Sequence, residues 1–223
     1  MSEKPILFSG AMVKAILDGR KTQTRRAVKS FKHFVPALNC EMDCIKDRDG
    51  MPSRLDIAPD NWDCCHYGQP GHRLWVRETG WERPYRTTKM MREGADTWEP
   101  YYYDADGYDD NDGDQFKSWG FKRRPSIFMP RWASRITLEI TDVRCQRLQD
   151  ISYEDAVAEG FGYEEDRFEH VVNGETFEQC SRRLRWPQRS FELLWGKINA
   201  KRAPWASNPW VWAISFRRVR AAE

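Results

Sequence analysis

Two groups of residues in this chain carry chemistry by their type and spacing. The first is basic: Arg20, Lys21, Arg25, Arg26 and Lys29 near the start, then Lys122, Arg123, Arg124, Arg131 and Arg135. Such side chains neutralise a phosphate backbone. Trp75 and Trp132, interleaved with them, offer flat faces on which an unpaired base stacks. Arg182, Arg183, Arg185 and Arg189 extend the set. Each run by itself reads equally as a solvated face, and residues 19–26 alone read as an exposed, positively charged turn. The second group holds thiols. Cys40-x3-Cys44 followed by Cys64-Cys65-His66 has the raw material of a zinc site. Adjacent Cys64 and Cys65 fit one tetrahedral ion poorly, and six irregularly spaced cysteines form no disulfide framework. The expectation is therefore no cofactor, with ordinary small apolar thiols in an insertion.

Composition narrows the classes. Hydrophobic residues make up 40% of 223, enough for a core and too many for disorder throughout. Thirty-six Lys and Arg nearly cancel 34 Asp and Glu, so net charge alone does not announce a nucleic-acid binder. Eleven tryptophans suit a core and a base-stacking pocket alike. No apolar run reaches the ~18–20 residues that span a bilayer, and residues 1–5 lack a secretory stretch. The expectation is a cytoplasmic protein without a membrane partner.

Several elements must position these groups. Residues 5–8 read as a strand. Met12, Val13, Ile16 and Leu17 form one helical stripe, with Ser9 as N-cap and Gly19 as stop. Residues 22–28 read as a loop entering a strand. Residues 29–70 show no sustained period and read as an insertion. Residues 71–79 restore a strand, with Leu74 and Val76 on one face and Trp75, Arg77 and Thr79 on the other. From 85 to 122 runs a second insertion, acidic from Asp104 to Asp114, which reads as a solvated loop or hairpin that lies over the basic cleft. Its Asp-Asn-Asp-Gly-Asp string lacks the glutamate of a calcium loop. Residues 136–143 alternate as a strand. Ser152 heads a helix over 154–159, stopped by Gly160. Residues 161–187 are polar and without a clear period. Phe191, Leu194, Trp195 and Ile198 mark a helix from Ser190, and 210–216 alternate as a closing strand. Short strands with one or two helices between them, and strands at both ends, predict a small mixed barrel.

The string Gly-Arg-Lys-Thr-Gln-Thr-Arg-Arg at 19–26 resembles the defining motif of ASCH-domain proteins, relatives of the PUA β-barrels. Gly-His-Arg-Leu-Trp-Val-Arg-Glu at 71–78, the helix near Glu159 and the strand at 210–216 follow in the same order. Pro-Ile-Leu-Phe-Ser at 5–9, Leu-Trp-Val-Arg-Glu-Thr at 74–79 and Met-Pro-Arg-Trp-Ala-Ser-Arg at 129–135 are similar to a larger, phage- and prophage-associated branch. The chain departs from that pattern at His72, where Asp is common, and at Phe128, where His is expected.

This resemblance implies an α+β fold: one PUA-like domain over 1–223, a small mixed or antiparallel β-barrel flanked by a few helices, with long insertions at about 29–70 and 85–122. It implies recognition of RNA, single-stranded nucleic acid or a modified nucleoside. A small bacterial member of the family is an amidohydrolase that removes the acetyl group from acetylcytidine. The residues credited there match Lys21, Thr24 and Glu159 here. A Thr24 hydroxyl would be the nucleophile, a neutral Lys21 its base, and Glu159 would orient the lysine or protonate the leaving amine. Arg20, Arg25, Arg26, Trp75, Glu78, Arg131 and Trp132 would hold the substrate. A non-catalytic reader of RNA or modified nucleic acid is the alternative, and a ribonuclease using the same cationic pocket is the second. On a regular strand, positions 21 and 24 face opposite sides. The hydrolase reading therefore needs a bend between them, and a straight run favours binding.

Overall fold

The computed structural model describes residues 3–29, 31–35, 40–46, 52–54, 65–83, 92, 99–108, 113–161 and 176–219. Its contacts divide into two units, each assembled from separate stretches of chain. The first comprises Met1–Leu17, Arg73–Glu139 and Arg218–Glu223; the second comprises Asp18–His72 and Ile140–Arg217.

The fold is α+β. Strands β1 (Glu3–Leu7), β2 (Gln23–Ala27), β6 (Arg73–Arg77), β10 (Thr137–Arg147) and β11 (Trp210–Val219) form a mixed sheet in the order β1-β6-β10-β11-β2. β1 runs parallel to β6, which is antiparallel to β10, and β11 is antiparallel to β2. Alternation explains β6: Leu74 and Val76 are fully buried, while Trp75 and Arg77 are half-buried. In β10 the buried set is Leu138 and Ile140, then Val143 and Cys145. Its inward face therefore changes parity across Thr141 and Asp142.

In the first unit, α1 (Gly10–Leu17) buries Val13, Ala15 and Ile16, and the Val13 N–H donates to the Ser9 carbonyl at 2.9 Å. Gly19, with φ of 75°, takes the left-handed conformation that follows a helix end. The stretch from 85 to 122, expected to be a solvated loop or hairpin, contributes two strands among its described residues. β7 (Gly80–Glu82) pairs with both β8 (Tyr101–Tyr103) and β9 (Lys122–Arg124). Trp81 stacks on Phe116 of α2 (Gly113–Ser118), with ring centroids 5.3 Å apart, and Phe121 closes the cluster. β7 and β8 approach closely at Gly80, where a Cβ would lie 2.2 Å from the Tyr102 carbonyl oxygen. Residues 109–112 of the acidic run lie outside the described residues.

In the second unit, β3 (Phe31–Val35), β4 (Cys40–Lys46) and β5 (Pro52–Arg54) form an antiparallel sheet inside the stretch expected to be an irregular insertion. α3 (Tyr153–Ala158) starts at Ser152, whose hydroxyl accepts from the Asp155 N–H. α4 (Phe177–Leu184) begins with a capping box, in which Thr176 and Gln179 satisfy each other's backbone N–H groups. α5 (Trp186–Asn199) starts four residues before the expected Ser190, because Pro187 already fits the first turn. Phe191 and Trp195 of α5 pack with Leu148, Ile151, Ala156 and Val211 as the core of this unit. No described helix is long and apolar enough to cross a membrane.

Candidate functional site

The second unit brings together a buried polar cluster centred on Lys21. From Lys21 to Ala27 the chain runs extended. Lys21 bridges Glu159, the Phe216 N–H donates to the Thr22 carbonyl, and β2 then pairs with β11 from Gln23↔Ser215 to Ala27↔Val211. Alternation therefore puts Lys21, Gln23 and Arg25 on one side and Thr22, Thr24 and Arg26 on the other. The hydrogen bonds follow that division. Lys21 Nζ donates to Glu159 Oε2 at 2.6 Å and to the Glu159 carbonyl at 2.8 Å. Arg25 reaches Glu159 Oε1 at 3.3 Å, Asp155 Oδ2 at 2.6 Å and Gln23 Oε1 at 2.6 Å. The Gln23 amide donates to Asp155 Oδ1 at 3.2 Å and to Ser215 Oγ at 3.1 Å.

Two carboxylates receive these donors because α3 presents them one turn apart, at positions 155 and 159. Glu159 is the C-cap of that helix, so the Lys21 ammonium sits at the negative end of the helix dipole. Arg144 adds a bond from outside, donating to Asp155 Oδ1 at 2.9 Å. The pair is dry: the Lys21 and Glu159 side chains are 1% and 4% exposed. Burial draws the Lys21 pKa below the ordinary lysine value. Glu159 pulls it up but does not outweigh burial, and Arg26 and Arg25 add to the lowering. Burial pushes Asp155 the opposite way from its net shift. The Arg144 hydrogen bond, with Arg25 and Gln23, holds its carboxyl below the usual aspartate range.

The remaining residues of the expected site divide between the two units. Arg20 is exposed, bonded to Asp18 at 2.8 Å and reaching the Gly160 carbonyl at 3.5 Å. Thr24 is buried opposite Ile214, on the face of β2 away from Lys21, and Arg26, half-buried opposite Trp212, is near enough to Lys21 and Glu159 to interact with their charges. Trp75, Glu78, Arg131 and Trp132 belong to the first unit. There the Trp75 ring already carries two guanidiniums, Arg77 at 5.1 Å and Arg131 at 5.6 Å from its centroid. Glu78 is 2% exposed and receives a two-pronged bond from Arg135, at 3.0 and 3.2 Å. Burial raises its pKa against the pull of Arg135.

The later basic residues are committed to carboxylates as well. Arg123 pairs with Asp104, Arg124 with Glu82, Arg131 with Glu3, and Arg135 with both Glu78 and Asp106. Asp104 and Asp106, expected to cover a basic cleft, instead hold individual arginines of their own unit. Arg182 bonds Glu154 and Glu178. Phe128, at the position where a polar pocket residue was expected, is 66% exposed. His72 closes its turn by accepting from the Gln69 N–H at 3.4 Å, a structural use of the departure from Asp.

Among the described residues no group of three or more His, Cys, Asp or Glu is placed to hold a metal. Cys44 and Cys65 are buried and in no disulfide, and Cys64 of the expected cluster lies outside the described residues.

Gln23, Asp155, Arg144 and Ser215 were absent from the expected site. Period two from Lys21 selects Gln23 and Arg25, and one helical turn back from Glu159 selects Asp155. Nothing local points to Arg144 or Ser215, which reach the cluster through sheet pairing. Compared with known proteins, the chain matches no family model, no curated protein and no solved structure.

Proposed function

We propose that this chain is an ASCH-type protein of PUA-like fold that recognises a nucleoside, or a base of a single-stranded nucleic acid, at the Lys21–Glu159 centre. One observation carries the reading. The two residues that the motif resemblance pairs are 138 positions apart in sequence and lie 2.6 Å apart in a buried cluster. The Lys21 and Glu159 side chains are 1% and 4% exposed, so a ligand reaches them only when their cover opens, and the opened pair presents a donor next to an acceptor. That is the complement of the edge of a pyrimidine such as cytosine. Arg25, Gln23 and Asp155 lock both groups in place, so recognition costs little ordering. Arg20, exposed beside Gly160, is the residue suited to a phosphate.

Recognition without turnover is favoured over hydrolysis by the geometry of β2. A Thr24 nucleophile must lie within hydrogen-bond reach of its base, and the extended run from 21 to 25 turns it to the other face. The hydrolase reading stands second on a separate observation. Burial lowers the Lys21 pKa, which is the property a lysine base requires.

The test incubates the purified chain at low salt with cytidine, N4-acetylcytidine and unmodified single-stranded RNA. Calorimetry follows binding and mass spectrometry follows products. Recognition predicts saturable binding that Lys21→Arg abolishes and Thr24→Val leaves intact, with no product. Deacetylated cytidine that disappears in Thr24→Val transfers the site to the hydrolase reading, and RNA fragments that disappear in Lys21→Arg transfer it to a ribonuclease. Absence of both binding and product overturns the proposal.

A further inference from the structure

A concave site lies wholly within the first unit. Its walls are the three tyrosines of β8, Tyr108 and Trp132, and it encloses about 320 Å³. Among the described residues, the charged ones lining it are two carboxylates, Glu99 and Asp106, with no Lys or Arg. Trp132 is 58% exposed and Tyr108 is 40% exposed. A fold gains by covering rings of that size, so leaving two of them uncovered around one cavity marks a binding surface.

The rings are held in place. Tyr101 donates its hydroxyl to the Glu78 carbonyl at 3.3 Å, and Tyr103 donates to the Ala133 carbonyl at 2.8 Å. Trp132 stands edge-on to Tyr101, with centroids 6.4 Å apart at 83°. Tyr102 and Tyr108 meet at 4.9 Å and 69°. Aromatic faces carry negative potential and attract cations. One cation already uses this chemistry: the Arg135 guanidinium lies 3.8 Å from the Tyr103 ring centroid while bonding Asp106 at 2.7 and 2.9 Å. Arg135 thus accounts for Asp106, and Glu99 remains as the charge of the lining that no described arginine bonds.

We infer that this pocket binds a small quaternary ammonium compound through the exposed Trp132 and Tyr108 rings and the Glu99 carboxylate. The lining selects this chemistry against others. Phosphate-bearing ligands meet the Glu99 and Asp106 carboxylates, and the guanidinium at Tyr103, Arg135, is already paired with Asp106 and Glu78. Primary amines and guanidines need several hydrogen-bond acceptors around them; Glu99 supplies one side, while the exposed Trp132 and Tyr108 rings offer a cation only their faces. A methylated ammonium needs none, sheds its water readily and matches aromatic faces. The volume lies at the lower end of ligand pockets, about 300–1,000 Å³, which suits a small molecule. The inference is independent of the Lys21 site, whose residues lie in the other unit.

The test titrates the full chain at low ionic strength with choline and with its neutral isostere 3,3-dimethylbutan-1-ol, by calorimetry and ligand-observed NMR. Choline is expected to bind saturably, about tenfold or more tighter than the alcohol, which is the scale of a desolvated cation–π contact. Trp132→Ala, at an exposed position, should lose about that factor while its melting curve stays that of the parent. Glu99→Gln should weaken choline and leave the alcohol unchanged. Equal binding of the two ligands, no saturable binding of choline, or choline affinity indifferent to both substitutions would overturn the inference.

Discussion

Replacing Lys21 with Met tests whether the centre is a true buried pair or a surface contact. Methionine keeps the length and apolar stem but removes the ammonium. Glu159 would lose its 2.6 Å partner and keep Arg25, the more distant one at 3.3 Å. Breaking a buried ion pair from one side costs about 3–5 kcal/mol. The surviving Arg25 contact puts the expected loss near the lower end, about 3 kcal/mol. With a urea slope of about 1–3 kcal/mol/M, the unfolding midpoint drops by about 1 M or more. Glu159→Gln should also destabilise. The double variant should recover part of the loss, with a coupling of about 1–3 kcal/mol. A Lys21→Met loss below about 1 kcal/mol, with additive single effects, is what a solvated pair gives. That result would refute the buried-centre reasoning.

Three further outcomes follow from other parts of the molecule. Gly80→Ala forces a Cβ into the Tyr102 carbonyl and the Tyr101 ring. Chemical denaturation should show a loss of about 1–3 kcal/mol, as for overpacked sites, and a loss under ~0.5 kcal/mol would mean β7 and β8 are not so close. Thr176→Ala removes one half of the α4 capping box. It should cost about 1 kcal/mol, with faster amide exchange at the start of that helix, and unchanged exchange would contradict the cap. Asp155 and Glu78 should move acid stability in opposite senses. The lowered Asp155 pKa adds stability above its unfolded value near ~4, which is lost as pH falls through the folded one. The raised Glu78 pKa makes stability fall as pH rises from about 4.3 through its folded value. Asp155→Asn should therefore flatten the acid loss, and Glu78→Gln should remove the opposing slope. Parallel changes in the two variants would contradict these assignments.

Elements with a strong local period were legible from the residues alone. The α1 stripe between Ser9 and Gly19, the alternation of β6 and the Ser152 cap each depend on neighbours a few positions away. The Thr176-x-x-Gln179 box was equally local, but it lay in a polar stretch without an apolar stripe to draw attention. The β7-β8-β9 sheet was hidden for a different reason. Trp81, Phe116 and Phe121 meet only after the chain has returned over some 35 positions, and the acidic residues between suggested solvent. Charge pairing was the least legible feature. Arg123 and Asp104 are 19 positions apart, and Arg135 and Glu78 are 57 apart. Residues that looked like a basic track are largely spent on such pairs. For the Lys21 cluster, alternation showed that Thr24 would face away on a straight strand. Only the β11 register showed that the strand is straight.

Nucleoside docking at the Lys21–Glu159 centre is open to direct test by backbone amide NMR on the full chain. Titration with cytidine and N4-acetylcytidine should produce saturable shifts concentrated on the amides of residues 20–25 and 155–160. No saturable shift with either nucleoside, or shifts confined to other parts of the chain, would contradict docking at Lys21 and Glu159.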